Sequence, residues 1–552
     1  MMLRISNIFA VVIRNKSRKY SGFVEKIRAV DRVNHTAVIT TENQSLSYKD
    51  LDIASSRLAY MLQSQNIPPH ASIGGFTSSS HSFLISMLAA WKLGRVFVPL
   101  SKTHSLNELT YFVEDSSIGG VVCSSVHDLD ATFRSTAKLP FIETQSLFST
   151  TVNYDITAQQ PIQSINNEDA LVVYTSGTTG RPKAVLHTHN GINHMIKSLT
   201  EAWQYSSSDK ILHFLPLSHV HGILNKLLCV LWAGGQVEFL QSANPNVIWQ
   251  KLAQEERNLI MDPQYKAATL FMAVPTVYAR LLDTALAQPQ EILSLALSTA
   301  RKMRLHACGS AALPDPVLVK WQQLTGHHLL ERYGMTELGM ALSNPYAAEE
   351  RRTGHVGLPM PYVQCKLVDP ETETDVLHPN QPGEIRVTGP CVFKHYINLP
   401  EATAECFDKQ GWFKTGDIAE RTVDGFYKIL GRQSSDIIKS SGYKLSALEI
   451  ERELLGHPLI AEAVVVGKND PAAGEKIVAI ITLRDEATSQ DVFKIQMDEE
   501  AAISNAKMLK SFLADRLSYY KNPKEVYVVD FIPRNHMGKV NKKSILQTLG
   551  LL

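Results

Sequence analysis

The chain of 552 residues lacks several features that would place it in a class at once. It has no run of 18 or more apolar residues, which excludes an ordinary transmembrane helix. Its 55 basic and 54 acidic side chains nearly cancel, which argues against nucleic acid or a polyanionic surface as the main partner. It also lacks internal repeats and low-complexity tracts. A chain of this length is too long for one hydrophobic core, so two or more domains are expected.

Cysteine is scarce, and the six cysteines include no Cys-x-x-Cys pair. This spacing argues against a disulfide framework or a zinc site and indicates buried or surface thiols in a reducing compartment.

Acidic residues are missing from residues 1–24, which combine basic, apolar and small polar residues. The basic residues there are Arg4, Arg14, Lys16, Arg18 and Lys19. An acid-free, basic, amphipathic start is typical of a mitochondrial transit peptide. We therefore expect residues 1–20 to be a transit peptide and the protein to reach the mitochondrial matrix. An ordinary basic tail is the alternative.

A segment rich in glycine and hydroxyl residues runs from Tyr174 to Lys183 and follows an apolar stretch that predicts a buried strand. Glycines let backbone N–H groups face an anion, hydroxyls add donors, and the lysine adds a positive charge. The segment therefore predicts a loop that binds nucleotide phosphates, although the Walker spacing is absent. A plain turn is the alternative. The residues assigned to the loop are Thr175, Ser176, Gly177, Thr178, Thr179, Gly180 and Lys183.

The pattern of the chain up to about residue 430 predicts one large domain. Strand and helix patterns alternate to about residue 330, as in parallel α/β folds. A capping box that begins at Ser47 predicts a helix through about Gln63. From Gly383 to Leu430, short strands separated by turns predict a small β subdomain.

The short polar segment 433–435 marks a change in the pattern. After it, a helix at Ala447–Leu455, two strands and a helix at Ala506–Tyr520 predict a compact α+β unit. We therefore expect an N-terminal domain of residues 21–432 and a C-terminal domain of residues 433–552.

Further motifs follow the predicted phosphate loop in a fixed order. They are Glu331-Arg-Tyr-Gly-Met-Thr-Glu337, Gly411-Trp-Phe-Lys-Thr-Gly-Asp417, Gly431-Arg432, Ser441-Gly-Tyr-Lys-Leu-Ser-Ala-Leu-Glu-Ile-Glu451 and Pro533-Arg-Asn-His-Met-Gly-Lys539. Together the set resembles the adenylate-forming superfamily of acyl-CoA synthetases, luciferases and peptide-synthetase adenylation domains. The resemblance extends from about residue 30 to the C-terminus. It implies a large α/β domain followed by a small mobile α+β domain, with ATP, Mg²⁺ and CoA as ligands.

The resemblance also implies the residues that bind ATP. Adenylation joins a carboxylate to the α-phosphate, and since both are anions the site must supply cations and fixed donors. Thr336 and Glu337 are expected at the α-phosphate, with Glu337 as the ligand of Mg²⁺. Asp417 is expected to accept the ribose hydroxyls, and Arg432 to pair with ribose or phosphate. The residues expected around the adenine and the rest of the nucleotide are Gly309, Ser310, Ala311, Glu331, Arg332, Tyr333, Gly334 and Met335.

Lys539 is expected to be the main catalytic residue. In the superfamily the corresponding lysine bridges the acyl carboxylate and the α-phosphate and stabilises the transition-state charge. CoA then attacks the acyl-adenylate after the small domain rotates, which brings Ser441 and Gly442 to the pantetheine tunnel. Glycine there permits close backbone approach. The pivot residue stays open, because the segment from Arg432 to Lys439 is one residue longer than usual.

Two arginines favour a short dicarboxylic acid as the substrate, because burying its second carboxylate unpaired would be costly. Arg332 lies inside a site motif, and Arg280 lies where a helix should begin beside the acyl pocket. These positions resemble those of malonyl-CoA synthetases. So does His219, which matches the gating position at the acyl pocket, and His221 is expected to line the pocket as a polar residue. Malonate is therefore the expected acid, with methylmalonate as a second candidate. The alternative for Arg280 is an exposed helix arginine.

Other activities stay open. A short- or medium-chain fatty acyl-CoA synthetase would use octanoate and would tolerate loss of Arg280. A luciferase-type oxygenase would emit light, and a peptide-synthetase adenylation domain is disfavoured because no carrier domain follows. A non-catalytic protein on this fold would bind ATP without turnover, but the intact Lys183, Glu337, Asp417 and Lys539 argue against it. Small molecules are the expected partners, and the oligomeric state is open.

Overall fold

The computed structural model describes residues 22–28, 34–77, 80–144, 147, 168–175, 181–471, 473–484, 498–534 and 540–551. The strands are β1 Thr36–Ile39, β2 Ser45–Ser47, β3 Ser72–Phe76, β4 Phe97–Leu100, β5 Ile118–Cys123, β6 Phe141–Glu143, β7 Asp169–Thr175, β8 Lys183–Thr188, β9 Lys210–His213, β10 Gln236–Phe239, β11 Leu270–Ala273, β12 Leu305–Gly309, β13 Leu330–Met335, β14 Gly339–Ser343, β15 Leu358–Pro359, β16 Gln364–Val368, β17 Gly383–Thr388, β18 His395–Tyr396, β19 Phe413–Arg421, β20 Tyr427–Arg432, β21 Ile437–Ser440, β22 Tyr443–Ser446, β23 Ile460–Asp470, β24 Gly474–Leu483 and β25 Glu525–Val528.

The α-helices are α1 Gly22–Ile27, α2 Tyr48–Ser64, α3 His81–Lys92, α4 Leu106–Asp115, α5 Ala131–Ala137, α6 His189–Ala202, α7 Cys229–Trp232, α8 Pro245–Met261, α9 Pro275–Ala285, α10 Gln290–Lys302, α11 Asp315–Thr325, α12 Pro400–Glu405, α13 Ala447–Leu455, α14 Glu499–Leu513 and α15 Ile545–Thr548. A π-helix spans His221–Leu228, and 3₁₀ turns span Val126–Asp128, Ala348–Glu350 and Tyr519–Lys521. Within the described residues, every helix is too short or too polar to cross a membrane.

Two large sheets dominate the N-terminal part of the chain. One has the strand order β15-β14-β13-β12-β11-β9-β10-β1-β2 and is parallel from β13 to β1. The other has the order β18-β8-β7-β4-β3-β5-β6 and is parallel from β7 to β6. Parallel strands are buried on both faces, and β4, β9 and β11 are buried at every residue. The prediction of a parallel α/β architecture is confirmed.

A third, antiparallel sheet in the order β16-β17-β19-β20 forms the β subdomain. It begins at Gln364, earlier than the expected start at Gly383. The first strand escaped prediction because a polar connection of residues 369–382 separates it from β17, so its own short apolar stretch gave no hairpin signal.

The C-terminal sheet has the order β22-β21-β24-β23, with β25 parallel to β24. Its hydrophobic clusters contain only residues from Ile438 onward, whereas the clusters of the larger sheets end at Ile429. A large and a small domain therefore have separate cores. The expected boundary between 432 and 433 lies inside this interval and stays a prediction.

The prediction of a helix at Ala506–Tyr520 was wrong in its bounds, because helix α14 spans Glu499–Leu513. Asp498 caps its first turn by accepting the N–H of Ala501 at 2.7 Å. The acidic residues Glu499 and Glu500 lie in the first turn of α14, where the backbone dipole stabilises them.

The expected capping box at the start of α2 is confirmed. Ser47 Oγ accepts the N–H of Asp50 at 3.1 Å, and Asp50 Oδ2 accepts the N–H of Ser47 at 2.8 Å. The helix ends at Ser64 and buries Leu51, Leu58 and Leu62.

Replacing Ser47 by alanine removes one half of this box, so we expect Ser47→Ala to lower the free energy of unfolding by about 1 kcal/mol. Urea unfolding followed by circular dichroism measures the effect. Ser64→Ala, which removes an exposed hydroxyl at the other end of α2, is the control and should change stability by less than about 0.5 kcal/mol. Equal losses in the two variants would contradict a capping role.

Candidate active site

Several of the described residues of the predicted site lie where side-chain contacts join the three N-terminal sheets. Thr175 ends β7 and pairs in register with Lys183 at the start of β8. Gly309 ends β12, Arg332 lies in the neighbouring strand β13, and Asp417 lies in β19 of the antiparallel sheet. Ligands of parallel α/β sheets bind at the carboxyl ends of the strands, which is where β7, β12 and β13 deliver these residues.

Some predicted site residues lie outside the described residues. They are Ser176, Gly177, Thr178, Thr179, Gly180 and Lys539, and the expected transit peptide of residues 1–20 lies outside as well.

Glu337 follows β13 and is buried next to cationic and hydroxyl groups. Its Oε1 accepts a hydrogen bond from the Tyr396 hydroxyl at 2.8 Å. The ammonium of Lys183 lies 4.8 Å from the centre of the same tyrosine ring. Burial raises the pKa of Glu337, against the opposing effects of Tyr396, Arg432 and Lys183. Tyr396 was missed from the sequence, because it lies in a separate short strand with no motif around it.

A Mg²⁺ ion would fit this carboxylate. Within the ranges that the structure describes, no group of three or more His, Cys, Asp or Glu side chains could hold a metal by itself. A buried carboxylate such as Glu337, used together with phosphate oxygens, is the donor set that Mg²⁺ prefers.

Thr336 is held through its backbone. Its carbonyl oxygen lies 2.8 Å from His187 Nε2, and since a carbonyl can only accept, the nitrogen must carry the proton. Burial lowers the pKa of His187 to about 4, so the ring stays neutral near pH 7. This bond fixes the backbone beside Glu337. The histidine in the apolar strand β8 was the signal for this role, and it was missed.

Asp417 and Arg432 face each other across β19 and β20. Arg432 Nε donates to Asp417 Oδ1 at 3.0 Å and Nη2 donates to Oδ2 at 3.2 Å. The Tyr333 hydroxyl donates to Oδ2 at 2.5 Å, which anchors the ring expected to face adenine. A carboxylate has about four acceptor sites, so Asp417 can still accept a ribose hydroxyl.

Glu331 has different neighbours from the other motif residues. Its Oε1 accepts the N–H of Gly354 at 2.7 Å, and Arg452 and Asp315 are its charged neighbours. Burial raises the pKa of Glu331 to about 7. Its described contacts are therefore with the loop around Gly354, whereas the expected nucleotide contact stays a prediction.

Arg332 is buried, with only 4% of its surface exposed, and no carboxylate pairs with it among the described residues. Its Nη2 donates to Ser310 Oγ at 3.3 Å, and its Nε is buried with no hydrogen-bond partner among the described residues. Burial lowers the pKa of Arg332 to about 10. A Cβ at Gly309 would lie 2.7 Å from Nε, so glycine is required beside this guanidinium.

The turn after Gly309 is open to solvent. Ser310 has a φ of +73°, and Ser310 and Ala311 are exposed. Their backbone is accessible for the expected contacts with adenine, while Gly334 is packed so closely that a Cβ would lie 2.0 Å from the Gly339 carbonyl. Met335 lies next to Tyr333, with Sδ 3.9 Å from the hydroxyl.

The two predicted pocket histidines lie at the start of the π-helix. His221 is buried, and its Nδ1 lies 3.4 Å from Ser310 Oγ, which also contacts Arg332. His219 is half-buried, and its carbonyl accepts the N–H of Ile223 at 3.1 Å. The structure thus brings His221 into one polar group with Arg332 and Ser310.

Arg280 lies on the exposed face of α9. Within the described residues its side chain makes no ion pair or hydrogen bond.

Ser441 and Gly442 form the two-residue turn between β21 and β22, with φ values of +51° and +83°. A Cβ at Gly442 would meet no atom within 4 Å, so this turn is open to an approaching ligand.

Comparison with known proteins identifies relatives over nearly the whole chain. A model of the AMP-binding enzyme family matches residues 26–397, and a model of the AMP-binding enzyme C-terminal domain matches residues 449–539. The malonate–CoA ligase of Arabidopsis thaliana is 37% identical over 96% of this chain and 88% of its own length. The mitochondrial malonate–CoA ligase of Homo sapiens is 39% identical over 84% and 81%. The crystal structure of ATP-bound MatB from Rhodopseudomonas palustris superimposes with a TM-score of 0.80, at 30% identity over 97% of this chain and 99% of that one.

The raised pKa of Glu331 predicts a pH-dependent stability. Below pH 4.5, the unfolded-state pKa, the carboxyl is protonated in both states and Glu331→Gln should match the parent. As the pH rises towards 7, only the unfolded state loses its proton, so the parent loses stability relative to the variant. The difference should reach up to about 3 kcal/mol above that pH.

Thermal unfolding between pH 5 and 8 checks this expectation. Glu349→Gln removes an exposed glutamate and is the control, whose difference from the parent should stay constant with pH. A constant difference for Glu331→Gln as well would show that the folded carboxyl ionises normally.

Proposed function

Because the chain belongs to the AMP-binding enzyme family, we propose that it is an ATP-dependent malonate–CoA ligase. It converts malonate first to malonyl-adenylate, with release of pyrophosphate, and then to malonyl-CoA, with release of AMP. Methylmalonate is the second proposed substrate. The observation that carries the choice of acid is the buried Arg332, whose charge has no carboxylate partner among the described residues.

An unpaired buried guanidinium is expensive, so its presence needs a compensating anion. A fatty acid offers only the carboxylate that reacts, and its tail would have to lie against this charge. Malonate offers a second carboxylate, and arginine binds carboxylates in a planar, two-pronged geometry. The polar surroundings of Arg332, formed by Ser310 and His221, also suit an acid better than an alkyl chain.

Arg280 supports the same assignment in a different way. Its side chain is exposed and unpaired within the described residues, so it is accessible to a ligand. It belongs to α9, which follows β11 at the same edge of the nine-stranded sheet as Arg332. We propose that Arg280 and Arg332 together hold the carboxylate that does not react, while His219 gates the pocket.

The proposed nucleotide-binding residues contact different parts of ATP. Residues 175–180 and Lys183 hold the β- and γ-phosphates, Thr336 and Glu337 lie at the α-phosphate, and Asp417 accepts the ribose hydroxyls. Mg²⁺, held by Glu337 and phosphate oxygens, would neutralise charge on the leaving pyrophosphate. Lys539 bridges the acyl carboxylate and the α-phosphate, and its loss is expected to cost on the order of 10²–10³ in rate.

The small domain serves the second half-reaction. Its turn at Ser441 and Gly442 lines the passage for the pantetheine arm of CoA, and the domain boundary lies at 432–433. We further propose the mitochondrial matrix as the location, on the basis of the acid-free basic segment 1–24 and of relatives that are named as mitochondrial.

The experiment that tests the function is CoA-dependent release of AMP by protein without residues 1–20. We expect malonate to be used at least 100-fold more efficiently than acetate or octanoate, and methylmalonate to be the next best acid, because the monoacids leave Arg332 unpaired. Glu337→Gln is the inactive control, and its rate should fall by about 10² or more with every acid. A preference for octanoate would leave the ligase chemistry standing and would contradict the dicarboxylate site.

Arg280→Leu tests the second cation. Loss of a charged hydrogen-bond partner costs about 1.5–3 kcal/mol, so the KM for malonate should rise about 10- to 100-fold. The KM for ATP should stay within about threefold. Arg257→Leu, which removes an exposed arginine paired with Glu291 on a neighbouring helix, is the matched control and should not change either KM. An unchanged KM for malonate in Arg280→Leu would show that Arg280 is a surface residue.

A further inference from the structure

Lys226 is a buried lysine in the π-helix His221–Leu228, and none of the roles described above involves it. Its surface is 0% exposed. Its Nζ donates one hydrogen bond, to the Met272 carbonyl at 2.9 Å, and lies 3.5 Å from the centre of the Phe214 ring. Within the ranges that the structure covers, no carboxylate contacts this ammonium.

The other lysines buried to this degree have acidic partners. Lys210 lies 2.9 Å from Glu255 and 2.8 Å from Glu238, and Lys92 lies 2.6 Å from Asp52. A buried ammonium usually needs such a partner, because transfer of an unpaired charge out of water is very costly. One carbonyl and one aromatic face compensate Lys226 only in part. Lys226 therefore stands out as a cation that still needs an anion.

Asn225, the residue before Lys226, is also a buried polar residue that lacks partners among the described residues. Asn225 is 0% exposed, and neither its Oδ1 nor its Nδ2 has a hydrogen-bond partner within the described part of the chain. A fully buried amide with neither atom satisfied is rare in a native core. Two adjacent residues of the π-helix thus have unused hydrogen-bonding capacity within the described residues.

This place adjoins the proposed acid pocket. The Met272 carbonyl that holds Lys226 lies in β11, two residues before Val274, where the chain turns into the helix of Arg280. The Asn225 carbonyl accepts the hydroxyl of Tyr205, which lies near Arg332. At the first turn of the π-helix, both Arg332 and Lys226 act electrostatically on His221. Tyr205 and His221 therefore connect the surroundings of Lys226 with those of Arg332.

We propose that Lys226 is a specificity-determining residue of the acid pocket and that it binds, with Asn225 and Arg332, the carboxylate of the diacid that does not react. This inference rests on the proposed function. The ammonium supplies a third positive charge beside the two arginines, and the Asn225 amide donates a neutral hydrogen bond to the same oxygens. A monocarboxylic acid of equal length would place a methyl group against these donors and leave them unsatisfied.

Burial lowers the pKa of Lys226 well below its ordinary value, and a carboxylate bound next to the amine would raise this pKa again and favour the charged form. The competing explanation is a structural lysine that stays neutral and only fills space between Phe214 and Met272. The two explanations predict different changes in the kcat/KM for malonate and for its monoacid analogue propionate when the charge of Lys226 is removed.

The test compares the parent with Lys226→Met, which keeps the length of the side chain and removes its charge. The kcat/KM for malonate should fall about 10- to 100-fold, mainly through KM, since truncating a buried charged partner has effects of this size. The kcat/KM for propionate should stay within threefold or rise, and the KM values for ATP and CoA should not change. Thermal stability should hold or increase, because an apolar side chain replaces an uncompensated buried one.

Lys266→Met is the matched control. Lys266 lies before the opposite end of β11, where its ammonium donates to the Ser207 carbonyl at 2.6 Å. This variant should leave the constants for both acids within twofold of the parent.

Two outcomes would overturn the role of Lys226: an unchanged KM for malonate in Lys226→Met, or an equal loss with malonate and propionate. If Lys226→Met proves insoluble, Lys226→Gln keeps a donor for Met272 and removes the charge, and insolubility of both variants would establish a structural role. Failure of the proposed function itself is distinguishable, because the parent would then release no AMP with malonate.

Discussion

Positive charge buried without an internal partner is the constraint on which the acid half of this site depends. Elsewhere in the same sheet, burial of a cation is matched by acids, as Lys210 is by Glu238 and Glu255. Lys226 in the π-helix and Arg332 in β13 have no such match among the described residues. Removing these cationic side chains from water destabilises the folded protein, and this cost is offset only when an anion from solution binds to them. The local structure follows from it, since a glycine at 309 and the left-handed turn after it make room for the guanidinium.

The nucleotide half is built on the opposite principle. Asp417 is neutralised by Arg432 and anchored by Tyr333, and Glu337 is held by Tyr396. These bonds link strands of all three N-terminal sheets, so the donors and acceptors for ATP are fixed before the ligand arrives. Preorganised groups cost no reorganisation during the reaction, which suits a step in which charge moves between phosphates. The proposed acid pocket, with its unmatched cationic side chains, therefore differs from the proposed nucleotide site, where Asp417 is already paired with Arg432.

Sequence reasoning reached part of this arrangement. The turns between Gly383 and Leu430 were predicted, but the pairing of Asp417 with Arg432 across one of these hairpins was not, since Arg432 was expected to pair with ribose or phosphate. The fold class was predicted from the alternating strand and helix patterns, and helix α2 was predicted from its capping box. The bounds of α14 could not be predicted, because acidic residues are common both in loops and in the first turns of helices. Burial of Lys226 could not be predicted, since a lysine in an apolar run can extend to solvent and a π-helix has no sequence signature.

Strand β13 explains why a short diacid suits this fold. Side chains alternate along a strand, so Arg332 faces the acid side with Ser310, while Tyr333 faces Asp417 on the nucleotide side. Successive residues of a strand are only about 3.3 Å apart along it. The anchor for the free carboxylate and the anchor for the nucleotide are therefore close together. In malonate a single carbon separates the two carboxylates, so one can reach Arg332 while the other reaches the α-phosphate. In the proposed site, a longer diacid would have to fold back or move its reacting carboxylate away, so we expect the register of β13 to limit the length of the acid.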